Sequence, residues 1–194
     1  MIKESFKFVK VRDVHVPTRA NQGDAGIDFY VPNDLGLVDL SRLNTVDTYW
    51  VDRMSFHSNS DVLVIIKGNS IEHFYINAHS TCIIPSGILG ILEPEASMLQ
   101  ANDKSGVSSK KKLKVTASII DSPYTGEIHH VVFNTTNKPV RIDLGEKLVQ
   151  YIHIPIYLTQ PDEINMSEFE KLKAEKELKS GRGDSGMGSG KETL

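Results

Sequence analysis

A single cysteine, Cys82, is all the thiol chemistry this 194-residue chain carries. That excludes an internal disulfide framework and a cysteine-rich zinc site. No apolar run approaches the ~18 residues that a membrane-spanning helix needs, and the opening MIKESFKFVK lacks the apolar core of a signal peptide. These absences predict a soluble, cytoplasmic protein with no membrane partner. An excess of basic charge is missing too: 22 Lys+Arg stand against 25 Asp+Glu, a net of −3, which argues against a nucleic-acid partner. What is present is 39% hydrophobic residues, enough for one core. Glycine is unevenly spread, five of the 14 falling between Gly181 and Gly190.

Stretches rich in Val and Ile at 5–16, 62–66, 81–92, 112–120, 127–134 and 147–158 are separated by turn signals such as Pro32-Asn33-Asp34, Asn137-Lys138-Pro139 and Leu144-Gly145-Glu146. In the last stretch Leu148, Gln150, Ile152, Ile154 and Ile156 alternate, which predicts one buried face with Gln150 turned inward. Many short strands without helical periodicity predict an all-β barrel or sandwich. Residues 35–59 read as an insertion, with Val38-Asp39-Leu40 and Tyr49-Trp50-Val51 as edge strands. Further on, Ser167 is placed to N-cap a short helix over 168–179, with Glu170 at the capping-box position. The chain thus divides into a β domain (1–160), a linker with a helical stretch (161–180) and a flexible glycine-rich tail (181–194).

Five segments hold residues suited to chemistry. Ile119-Ile120-Asp121 runs into the turn Ser122-Pro123-Tyr124-Thr125-Gly126. A hairpin there places Asp121 at a strand end, partly shielded, where a carboxylate can serve as general base, with the Tyr124 ring free to pack on a flat or sugar-like ligand. The alternative is a plain hairpin whose Asp caps its own turn. Lys104-Ser105-Gly106 offers a cation, a hydroxyl and backbone N–H groups, the ingredients of a phosphate cradle, without the P-loop spacing; it equally suits a polar loop. Asp28, after Ala25-Gly26-Ile27, could orient metal-bound water or satisfy a turn. Gln150 must find partners for its amide in backbone or ligand. Arg182, Met187, Gly188 and Ser189 lie in the tail, where glycines allow close approach to a ligand and an arginine can clamp a phosphate.

In this order the segments resemble the five motifs of the trimeric dUTP pyrophosphatase (dUTPase) family: Ala25-Gly26-Ile27-Asp28-Phe29, Lys104-Ser105-Gly106-Val107, Ile119 to Glu127, Gly145-Glu146-Lys147-Leu148-Val149-Gln150, and the stretch from Arg182 to Gly190. Ile84-Pro85-Ser86-Gly87-Ile88 resembles the linker before the second motif. The resemblance implies a jelly-roll β-barrel forming a homotrimer with shared sites, and hydrolysis of dUTP to dUMP and pyrophosphate with Mg2+. Asp121 would activate the water and Tyr124 would pack under the deoxyribose. Lys104, Ser105, Gly106 and Gln150 would hold phosphates, and Asp28 would bind the metal through water. Arg182 would pair with the γ-phosphate while Met187, Gly188 and Ser189 fold over the nucleotide.

Lys104 stands where the family has arginine, which implies a weaker or differently placed hold on phosphate, and Met187 where it has a stacking phenylalanine, which implies a weaker lid. The divergent motifs and the insertion suit a viral or phage member. Two rivals share the fold. A dCTP deaminase needs a glutamate near Val131, and no acid occupies 129–134. A regulatory module with weak catalysis would use the 35–59 insertion to bind a protein partner.

Overall fold

The computed structural model describes residues 5–40, 47–51, 54–58 and 61–180. Its strands, in chain order, are β1 (Ser5–Lys10), β2 (Ile27–Tyr30), β3 (Asp47–Val51), β4 (Met54–Ser58), β5 (Val62–Lys67), β6 (Ser70–Ile76), β7 (Thr81–Glu93), β8 (Ser97–Asp103), β9 (Leu113–Val115), β10 (Ile119–Asp121), β11 (Glu127–Asn134), β12 (Val140–Asp143) and β13 (Lys147–Pro155). Helices α1 (Leu37–Leu40), α2 (Ser105–Lys111) and α3 (Met166–Ser180) interrupt or follow them. The all-β expectation holds. The strands form three antiparallel sheets, ordered β1-β7-β11-β9, β10-β8-β13-β2 and β12-β6-β5-β4-β3.

The core forms where alternate positions of these strands meet. In β11 every second residue is buried, from Ile128 through His130 and Val132 to Asn134, the period-2 signature of a strand packed on one face. Phe29, Val31, Phe74, Ile76, Ile84, Leu99, Ile142 and Tyr151 join it, each 1% exposed or less. Strands β6, β8 and β12 did not stand out in the sequence, because charged and amide residues punctuate their apolar positions.

Several expectations need correction. Residues 112–120 do not form one strand: they split into β9 and β10, which enter different sheets. Asp121 and Tyr124 are therefore not in a hairpin, since β10 pairs with β8 while β11 pairs with β7 and β9. Their turn is a corner between two sheets. Residues 37–40 are a helical turn and not an edge strand, whereas 47–51 is a strand and lies outermost in its sheet. In β13 a register shift between Lys147 and Val149 turns Val149 and Tyr151 into the core, so the row Gln150, Ile152 and Ile154 is only half-buried.

The described residues from 158 to 180 belong to a unit separate from the β domain. Helix α3 is capped by Asn165 and not by Ser167: the Asn165 Oδ1 accepts the Glu168 N–H at 3.0 Å, satisfying one of the orphan donors of the first turn. Among the described residues no helix is long and apolar enough to cross a membrane.

Candidate functional site at two corners of one sheet

Three of the sequence motifs meet at one corner of the β10-β8-β13-β2 sheet. Asp28 on β2 stands opposite Gln150 on β13, which stands opposite Asn102 on β8. Asp28 is 3% exposed. Its Oδ1 accepts a hydrogen bond from the Lys104 Nζ at 2.7 Å, and its Oδ2 forms an ion pair at 3.0 Å with the Nζ of Lys147. Burial pushes the Asp28 carboxyl up, but the two ammonium groups outweigh it and hold the group below its ordinary range. The Gln150 Nε2 donates to the Asp103 carbonyl at 2.9 Å, and the Asp103 Oδ1 accepts the Val115 N–H at 2.8 Å. Gly26 allows this packing, since a Cβ there would come within 2.6 Å of the Gln150 Oε1.

The residues after Lys104 form α2, which the sequence reading leaves as a polar loop. Lys104 is its N-cap in extended conformation, with no side-chain cap bond, since an ammonium has no acceptor for the first-turn N–H groups; it donates to Asp28. Ser105 and Gly106 open the helix, both exposed. Lys147 lies in the fourth motif, yet nothing in the local sequence pattern marks it as a partner of Asp28. The signal that finds it is register, since Lys147 pairs with Tyr30 two residues beyond Asp28.

Asp121 and Tyr124 occupy the opposite corner. Asp121 ends β10, across from Met98 on β8, and is exposed, not shielded as the sequence suggested. The Tyr124 N–H donates to the Asp121 carbonyl at 3.0 Å, and the Tyr124 hydroxyl donates to the Glu127 carbonyl at 2.8 Å. The ring folds onto Gly126, where a Cβ would lie 2.5 Å from the hydroxyl oxygen. Asp121 and Asp28 are separated by three strand steps and four residues of register. At ~4.8 Å per strand and ~3.4 Å per residue, their backbones stand roughly 20 Å apart. The structure thus gathers Asp28, Lys104, Ser105, Gly106 and Gln150, and holds Asp121 and Tyr124 away from them. Arg182, Met187, Gly188 and Ser189 lie outside the described residues.

The family model described as dUTPase matches residues 69–186 of this chain, more than half of it. The chain belongs to the dUTPase family. Among its relatives, the deoxyuridine 5′-triphosphate nucleotidohydrolase of Clostridioides difficile is 26% identical over 177 residues, spanning 90% of this chain and 92% of the relative. That of Debaryomyces hansenii is 26% identical over 182 residues, spanning 94% and 84%. Among solved structures, the Staphylococcus bacteriophage 80alpha dUTPase with dUPNHPP superposes with a TM-score of 0.61 at 19% identity, covering 96% of this chain and 98% of that one. A variant dUTPase from phage phi11 of S. aureus, described with a structural Mg(II) ion, gives 0.56 at 15% identity, covering 83% and 97%. The dUTPase fold is shared with these phage enzymes.

Proposed function

We propose that this dUTPase hydrolyses dUTP to dUMP and pyrophosphate through sites closed between copies of the chain, and that the copies number three. One observation carries the shared site: the phosphate-side corner and the base-side corner lie too far apart on one chain to grip a single α-phosphorus. The outer face of the sheet between them supports it. Ile119 is 58% exposed there, and Met98, Ile152 and Ile154 are half-buried on the same face with Gln100 among them, a largely apolar strip that a second copy would cover.

Water attacks the α-phosphorus in line, and catalysis is positioning plus neutralisation of charge. Asp121 accepts the proton of the attacking water; its exposure leaves it open to solvent and substrate alike. Tyr124 packs under the deoxyribose. Lys104, Ser105, Gly106 and Gln150 face the phosphates, and the two ammonium groups around one carboxylate at Asp28 leave a local excess of one positive charge to attract them. Arg182 pairs with the γ-phosphate, and Met187, Gly188 and Ser189 close over the nucleotide.

Mg2+ is part of this reading. The described residues do not fit a protein-built site for it: no group of three acid, histidine or cysteine ligands exists among them, and both Asp28 oxygens are engaged by lysines. Mg2+ often binds chiefly through substrate phosphates, so the metal enters as the dUTP complex. The insertion at 35–59 would meet a protein partner along β3, the outermost strand of its sheet.

Pyrophosphate release from dUTP with Mg2+ tests the proposal. We expect turnover that EDTA abolishes, and that Asp121→Asn reduces by at least about 100-fold, the usual weight of a general base. Undiminished activity in Asp121→Asn would overturn the assigned base. Ammonia release from dCTP would favour the deaminase reading.

A further inference from the structure

The sheet β1-β7-β11-β9 has an irregularity beside the Tyr124 corner. Glu127 on β11 pairs with Leu89, yet His129 pairs with Pro85, so β7 carries extra residues around Gly87, whose φ is +72°. Such bulges interrupt the ladder and re-aim nearby side chains. At this one the Gly87 N–H donates at 2.8 Å to the Glu127 carboxylate. The same carboxylate accepts from the Arg12 Nε at 2.8 Å and from Nη2 at 3.3 Å. The far side of the Arg12 guanidinium grips Asp39 on α1, at 2.9 and 3.1 Å, and Asp39 also accepts the Gly36 N–H at 2.8 Å. All three side chains are largely sheltered, 22%, 17% and 18% exposed for Arg12, Asp39 and Glu127. A planar fork with five donors can bridge two carboxylates in this way; a lysine cannot.

Glu127 is held at its side chain by this triad, and its carbonyl is the acceptor for the Tyr124 hydroxyl at 2.8 Å. The His129 Nδ1 lies 2.7 Å from the same carbonyl. Where the carbonyl sits therefore decides where the tyrosine ring sits, on a corner otherwise open to solvent. We infer that the Asp39–Arg12–Glu127 triad is a positioning device for the Tyr124 ring, and that it sets how strongly the enzyme prefers dUTP over UTP. The inference rests on the reading that Tyr124 packs under the deoxyribose, where a correctly placed ring leaves no room for a 2′-hydroxyl. Through Asp39, the start of the 35–59 insertion is the third anchor of that ring.

The test measures kcat and KM for dUTP and UTP on the full chain, with the thermal midpoint of each variant. Glu127→Gln keeps the shape and loses the charge; Asp39→Asn loosens the triad from the insertion side. Each is expected to lower the dUTP-over-UTP ratio of kcat/KM about fivefold, mainly through KM, in the range of couplings seen within one network. Tyr124→Phe keeps the ring and removes the link to Glu127, so adding Glu127→Gln to it should change the ratio no further. The positioning role is overturned if both carboxylate variants keep the native ratio, or if Glu127→Gln lowers it equally in the Tyr124→Phe background. Tyr124→Ala separates the two ideas. If it leaves the ratio unchanged, the sugar reading falls and the triad's role falls with it. If it collapses the ratio while the triad variants do nothing, only the triad's role falls.

Discussion

His130 is wholly buried, its ring meeting Phe29 edge-on with centroids 6.1 Å apart and its Nδ1 3.1 Å from the Tyr151 hydroxyl. Burial pushes its pKa down to about 4, so folding keeps it neutral where the unfolded chain would protonate it. The stability this contributes is present above the unfolded value of 6.5 and is lost as pH falls toward 4. Between pH 6.5 and 5 the loss should reach about 2 kcal/mol at 1.36 kcal/mol per unit. Urea unfolding across that range measures it, and His130→Phe should flatten the dependence. At the other extreme, burial pushes the Cys82 thiol up to about 12, leaving it inert to oxidation. Neither property is legible in the sequence, where His130 is one of a pair of adjacent histidines and only strand phase decides which enters the core. Asp28 was legible as a candidate, but its two lysine partners lie 76 and 119 positions away and meet it only through the β2–β13–β8 pairing.

At the scale of elements, β11 could be read as a strand from its Val and Ile content between Glu127 and Asn134, but not its buried face, which takes in His130 and Asn134 and leaves out Val131 and Phe133. The short helix α2 could not: Ser105-Gly106-Val107-Ser108-Ser109 is poor in helix formers. The turn is completed by Lys112 in the left-handed region at φ 57°, whose N–H bonds back to the Ser108 carbonyl. The sequence places the cap of helix α3 at Ser167, two residues past its true cap at Asn165. Asn165 and Ser167 are both competent caps, and the sequence holds a capping-box glutamate at the right spacing for each, Glu168 and Glu170. The glycine-rich tail is assigned a closing role from its composition and its resemblance to the fifth motif. Truncation after Ser180 should then cut kcat/KM for dUTP by more than about tenfold, the cost of losing one charged phosphate contact. The thermal midpoint should not move. Full activity in the truncated chain would dismiss the lid.

For the molecule as a whole, the proposed shared site, drawn from the separation of Asp121 and Asp28, makes assembly the first thing to test. Placing a charge in the apolar strip, as in Ile152→Asp, should split the proposed trimer into monomers in light-scattering measurements and abolish turnover with it. Mixing that variant with an excess of Asp121→Asn chains should not restore activity unless assembly recovers. The order of the five motifs, the strand-rich class and the residue types fit for phosphate and base chemistry were all determined by the sequence, since these depend on local pattern and chemical identity. Which residues share a corner was decided by the tertiary structure alone. Strand register brought Lys104 and Lys147 to Asp28, a β-bulge brought Arg12 to Glu127, and the divergence of β10 from β11 carried Asp121 to the far side of its sheet. Such outcomes follow from how hydrogen-bonded ladders align distant segments, and a one-residue slip in any ladder would reverse them.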